Sequence, residues 1–189
     1  MSGFEFIFSL MGLLLGLALA EGLGGLSRAL KASHRVRIGW QTALLGIFVS
    51  CDVVSFWMYG WALRDKLPIS WPVMFGGFVL TGVYYICASL IFPDDEAGFD
   101  DLDGHFARNH QKVLAGVMAC NAALLAVTLS LFPDYPIFNL RSLLFTWSFF
   151  PLALLAMLAG DRRIKMGCLL LLIATYPASA LQGYLDASA

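Results

Sequence analysis

Apolar residues fill this chain in six long runs, at about 4 to 26, 39 to 61, 71 to 92, 113 to 132, 142 to 160 and 166 to 185, parted by short polar stretches. Each run approaches the roughly 20 residues that an α-helix needs to cross a hydrocarbon layer of roughly 30 Å. The pattern predicts an all-α integral membrane protein: one bundle of six transmembrane helices, a single domain spanning residues 1 to 189. No Lys or Arg precedes the first run, and its apolar character continues past Ala20 toward Leu26, so it reads as a retained span and not as a signal peptide.

Composition strengthens this reading. Of 189 residues 59% are hydrophobic and 13% charged, and the mean hydropathy is +0.76, more than a soluble core could hide. The lipid bilayer is the expected surrounding. A net charge of -1 speaks against a nucleic-acid partner.

Charge also predicts the orientation. Arg28, Lys31, Arg35, Arg37, Arg108, Lys112, Arg162, Arg163 and Lys165 lie in the stretches after spans one, three and five, against Arg64, Lys66 and Arg141 on the opposite side. Nine against three places the richer side in the cytoplasm and both termini on the outer, periplasmic side, as expected for a bacterial inner membrane protein. Trp40, Trp61 and Trp71 fall at span ends, where interfacial aromatics sit.

Within the apolar runs one acid stands deep. Asp52 is about 20 Å of helix from Gly39 and about 14 Å from Trp61, too far to reach either surface cheaply. A carboxyl at such a depth costs roughly 2.5 to 3.5 kcal/mol, so it is expected to face a polar interior or a partner. Helical spacing puts Gln41, Ser55 and Tyr59 on its face. Asn121 in span four and Thr81, with Tyr84 and Tyr85 further along span three, lie at a depth where they could complete a polar cluster. With no basic side chain at that depth, the expectation is a site that can take up a proton. A neutral acid that only ties helices together explains the residue about as well.

Gly12, Gly16, Ala20 and Gly24 recur every fourth residue in span one and form a ridge without bulk. Such ridges allow close helix approach, either to a neighbouring span or to a second copy or another subunit of a membrane complex. Pro151 and Pro177 each withhold the helical donor from a carbonyl four residues back, at Trp147 and Ile173, and paired interruptions of this kind can line a cavity.

Cysteine and histidine offer little chemistry. Cys51, Cys87, Cys120 and Cys168 stand on four different spans without a CxxC pair, so no metal site is expected from them. His34, His105 and His110 are assigned to loops, which argues against a haem held within the bilayer, and no cofactor is expected.

Residues 93 to 111 read as an acidic cytoplasmic loop with a short amphipathic piece leading into span four. There, Asp100-x-x-Asp103-Gly104-x-x-Ala107-Arg108, with Gly116 beyond, resembles the opening of the CDP-alcohol phosphotransferase motif. The resemblance implies a membrane enzyme of about six spans that uses four aspartates and divalent metals. Cys120 and Leu124 stand where the third and fourth aspartates would be, and two carboxylates make a poor two-metal site.

Three functions are therefore expected in descending order. The first is a proton-linked translocator or channel with a polar site at Asp52, Asn121, Thr81, Tyr84 and Ser55. The second is a non-catalytic accessory or scaffold subunit that docks through span one. The third is a degenerate phosphotransferase-like enzyme, so catalysis is the less favoured class.

Overall fold

The computed structural model describes residues 3–32, 39–94, 101–134 and 139–188. Six helices in it are long and apolar enough to cross a membrane. They are α1 (Gly3–Ala32), α2 (Trp40–Ala62), α3 (Trp71–Ser89), α4 (Leu102–Leu131), α5 (Leu140–Leu158) and α6 (Arg162–Ser188). No strand occurs among the described residues. Much of each span turns large apolar side chains outward, such as Leu13, Val54, Phe75 and Leu171, which suits contact with lipid and not with water. Trp40, Trp61 and Trp71 are exposed at helix ends, as the sequence suggests.

The helices differ most from the sequence reading at the start of α4. The stretch expected to be loop up to residue 111 is helical from Leu102 onward, so His105 and His110 stand on α4 and not in a loop. Two local causes are visible. The Asp101 carboxylate caps the helix by accepting from the Gly104 N–H at 2.9 Å, and Leu102 and Phe106 are buried against the bundle. An ion pair of 3.1 Å between Arg162 and Asp103 then fastens the start of α6 to the start of α4.

Two groups of helices share the α2–α4 contact. On one side α1 packs on α2 and α3, and α3 packs on α4; on the other, α2, α4, α5 and α6 close a ring. The first group relies on small residues. α1 buries Leu15, Ala18, Gly22, Gly25 and Ala29, a face offset from the Gly12, Gly16, Ala20 and Gly24 ridge. A Cβ on Gly25 would collide with the Phe92 ring, and one on Gly46 of α2 would meet the same ring at 2.9 Å, so Phe92 is wedged between two glycines. Of the expected ridge, Gly12 abuts Trp57 of α2, whereas Gly16 has open space beside it and Ala20 is exposed.

In α5 the residues Leu143–Trp147 are wound as a π-helix, closed by the Ser148 N–H donating to the Leu143 carbonyl at 3.1 Å. This wider turn lies just ahead of Pro151. A proline has no N–H to continue the ladder, and π-turns are frequent where a helix is shaped for a site.

Candidate functional site

Four of the six helices meet at Asp52. Its side chain is only 3% exposed, and hydrogen bonds reach it from three other helices. The Tyr84 hydroxyl of α3 donates to Oδ2 at 2.6 Å, and the Asn121 amide of α4 donates to the same oxygen at 3.0 Å. The Tyr176 hydroxyl of α6 donates to Oδ1 at 2.7 Å. Asn121 is itself held by the Val117 carbonyl at 3.1 Å and lies 3.3 Å from the Tyr84 hydroxyl. No Lys, Arg or His takes part.

Interhelical hydrogen bonds within membranes average about 0.6 kcal/mol, so the three at Asp52 contribute about 2 kcal/mol. That is of the same order as the roughly 2.5 to 3.5 kcal/mol cost of a central acid. The cluster thus offsets most of the penalty for its own carboxyl. Both protonation states are accommodated, because a tyrosine hydroxyl can donate to a carboxylate or accept from a carboxylic acid.

The two sides of the carboxyl differ. Tyr84, on the Oδ2 side, is fully buried, with its ring 5.0 Å from that of Phe56. Tyr176, on the Oδ1 side, is half-buried and lines, with Asp52 and Asn121, a cavity of about 120 Å³ within the ring of α2, α4, α5 and α6. Ser55, Tyr59, Thr128, Thr146, Thr175 and Ser179 bring hydroxyls to its wall, and Phe145, Phe149 and Phe150 bring rings. Every lining residue of α2, α4 and α6 lies at or beyond the level of Asp52 in the chain direction, and those of α5, Phe145 to Phe150, lie in its first half and at its middle. The cavity therefore occupies the half of the bundle where the chain starts and ends.

Below it the bundle is closed. Phe48, one turn before Asp52 on α2, is fully buried, with its ring 6.4 Å from that of Tyr176 and 6.2 Å from that of Phe149. Leu45, Val49, Val113, Val117, Leu169 and Leu172 continue this dry layer, each at most 1% exposed. At its far end the buried His110 donates from Nδ1 to the Phe106 carbonyl at 2.8 Å, which leaves Nε2 to accept from the Lys165 ammonium at 3.0 Å.

The sequence-derived candidates separate in the structure. Asp52, Tyr84 and Asn121 come together, and Ser55 and Tyr59 line the adjoining cavity. Thr81 does not join them: its hydroxyl is turned back to the Gly77 carbonyl at 2.8 Å within its own helix. Tyr85 faces outward, and Gln41 is buried near the other end of α2. Tyr176 is the partner that the sequence reading omits. Residues just ahead of both prolines, Phe149 and Phe150 before Pro151 and Thr175 and Tyr176 before Pro177, line the cavity.

The motif around the start of α4 is used differently from what its resemblance implies. Asp103 is paired with Arg162, Asp101 caps a helix, and Gly116 abuts the Cys87 thiol, while Asp100 lies outside the described residues. The Cys120 thiol donates to the Leu80 carbonyl at 3.6 Å. Among the described residues no three His, Cys, Asp or Glu side chains converge as a metal site would require.

Comparison with protein-family models, curated proteins and solved structures finds no match to this chain.

Proposed function

We propose that this protein is a small proton-linked translocator of a bacterial inner membrane, with Asp52, Tyr84, Asn121 and Tyr176 as its polar site. The observation that carries this reading is the one-sided access to Asp52. Hydroxyl groups line a cavity on one side of the carboxyl, and tightly packed apolar side chains lie on the other. A site reached from one side at a time is what alternating access requires, and broken helices beside it are common in transporters. On this reading the excess of basic residues toward the closed side, Arg108, Arg162, Arg163 and Lys165 among them, supports a cytoplasmic closed side and a periplasmic cavity.

Proton movement into vesicles reconstituted with the full chain, followed under an imposed pH gradient, tests this reading. Asp52→Asn keeps the shape of the side chain but removes the titrating group, and it is expected to lower Asp52-dependent flux to the level of empty vesicles. Flux that survives this substitution unchanged overturns the proposal.

A second reading, an accessory subunit that docks through α1, draws on the open space beside Gly16 and the exposure of Ala20. Gly16→Leu is then expected to weaken association without unfolding the chain. Unchanged association in native membranes removes that support.

A further inference from the structure

The fourth position around the Asp52 carboxylate is the informative one. An ionised carboxyl has about four lone-pair sites. Tyr84 and Asn121 occupy two at Oδ2, and Tyr176 occupies one at Oδ1. The remaining one belongs to Oδ1, and Asp52 lines the cavity together with Tyr176 and Asn121. A donor arriving through the cavity has that position to fill.

The cavity wall defines the donor's chemistry. Among the described residues its wall includes no Lys, Arg or His, and Asp52 is the one carboxyl there. Phe145, Phe149, Phe150, Tyr59 and Tyr176 bring aromatic rings around that carboxyl. Rings attract cations through their negative faces, and more strongly where water is scarce. An inorganic cation prefers a shell of oxygens, whereas this wall interleaves its hydroxyls with Leu124, Leu125 and three phenylalanines, and sodium is therefore tested beside the organic ion. At about 120 Å³ the space is close to that of a cavity known to hold benzene, so it suits about five or six heavy atoms.

We propose that the cavity binds a small organic ammonium ion with Asp52 Oδ1 as its counter-ion, and that this ligand and a proton exclude each other there. The proposal rests on the translocator reading for its biological sense, but the binding itself does not. When the ligand enters a protonated site, the carboxyl proton leaves to solvent, the ammonium keeps its own protons, and charge is balanced. No covalent bond other than the acid O–H is broken. The titratable groups that face Asp52 are Tyr84 and Cys87 on α3, Cys120 on α4, Tyr176 on α6 and Cys51 on its own helix, with Tyr59 beyond Tyr176. None of them is cationic in either state, so a cationic ligand has no competitor within the site except a proton.

Calorimetric titration of the purified full chain with n-butylammonium tests this, with 1-butanol as the neutral analogue and sodium as the inorganic cation. The expected result is saturable binding of n-butylammonium alone, tighter at higher pH and accompanied by proton release. Asp52→Asn is expected to weaken it on the order of a hundredfold, as for loss of one partner of a buried ion pair. Phe145→Leu keeps an apolar wall without a ring and is expected to weaken it about fivefold. Equal binding of 1-butanol or sodium, or affinity for n-butylammonium unchanged by Asp52→Asn, overturns the inference. If Asp52→Asn does not fold, Phe145→Leu and the pH dependence still decide it. Asp52-dependent proton flux without n-butylammonium binding overturns the ligand class and leaves the translocator standing. Asp52-dependent binding without flux does the reverse.

Discussion

The same four helices, α2, α4, α5 and α6, enclose a hydroxyl-lined cavity in one half of the bundle and a dry layer of apolar side chains in the other. Asp52 stands at the boundary. The hydropathy of a span does not separate the halves, since each span passes through both. The difference lies in which residues face inward. Toward the chain ends, Ser55, Thr128, Thr146 and Ser179 turn into the ring; toward the basic end, Leu45, Val113, Leu169 and Ala153 do. A helix ring can therefore be sealed at one level and wet at the next without any change in its outer, lipid-facing surface. If the wet level serves exchange with solvent, the dry level is what prevents a leak.

The largest test of this contrast is removal of the same ring on the two sides. Phe48→Ala opens a hole in the dry layer and is expected to cost about 3 to 5 kcal/mol, as for other buried phenylalanines. Phe145→Ala enlarges a cavity that already exists, with an expected cost of about 1 kcal/mol. Equilibrium unfolding in mixed micelles measures both. Equal costs would mean that the cavity wall is packed as tightly as its floor, and the distinction between halves would fail.

Next in size is the wedge that joins the first helix group to the sealed half. Gly25→Leu drives a side chain into Phe92, which is already pressed against Gly46, and overpacking of this kind costs about 1 to 3 kcal/mol. A Cβ at Gly16 meets nothing, so Gly16→Leu is expected to change unfolding little. A reversed order would show that α1 is rotated from the face described above.

The boundary between halves was partly legible in the sequence. Six spans follow from run length and composition, because the bilayer demands them whatever the packing. The depth of Asn121 and Tyr84 relative to Asp52 follows from counting residues at a fixed rise. Depth does not give rotation about the axis, however, and Thr81, at the right level, satisfies its hydroxyl on Gly77 instead. The same count could have found Tyr176. It lies nine residues from the end of the sixth apolar run, as Asp52 lies nine from Trp61, although the adjoining Pro177 is the more conspicuous signal there. The Asp101 cap at the start of α4 is a local signal, but burial of Leu102 and Phe106 and the pair with Arg162 depend on packing against residues far along the chain, which the sequence does not display.

The smallest expected effect is also the sharpest comparison, since it removes the same atom from either side of one carboxyl. Tyr84→Phe takes a donor from Oδ2 on the fully buried side, where no solvent can replace it. Loss of a buried partner to a charged or polar group costs about 1 to 3 kcal/mol, and the Asn121 amide at 3.0 Å can compensate only in part. Tyr176→Phe takes the donor from Oδ1 on the cavity side, where a water molecule can take its place. Replacement of a direct hydrogen bond by a water-mediated one is nearly neutral apart from the cost of ordering the water, so about 0.5 kcal/mol is expected. Unfolding measurements on the two variants, made in the same micelles, give the difference directly. A clear gap with Tyr84→Phe the costlier variant supports a carboxyl that is dry on one side and wet on the other. Equal costs would require Asp52 to be sealed on both sides, and the cavity would then end at Tyr176 without reaching the acid.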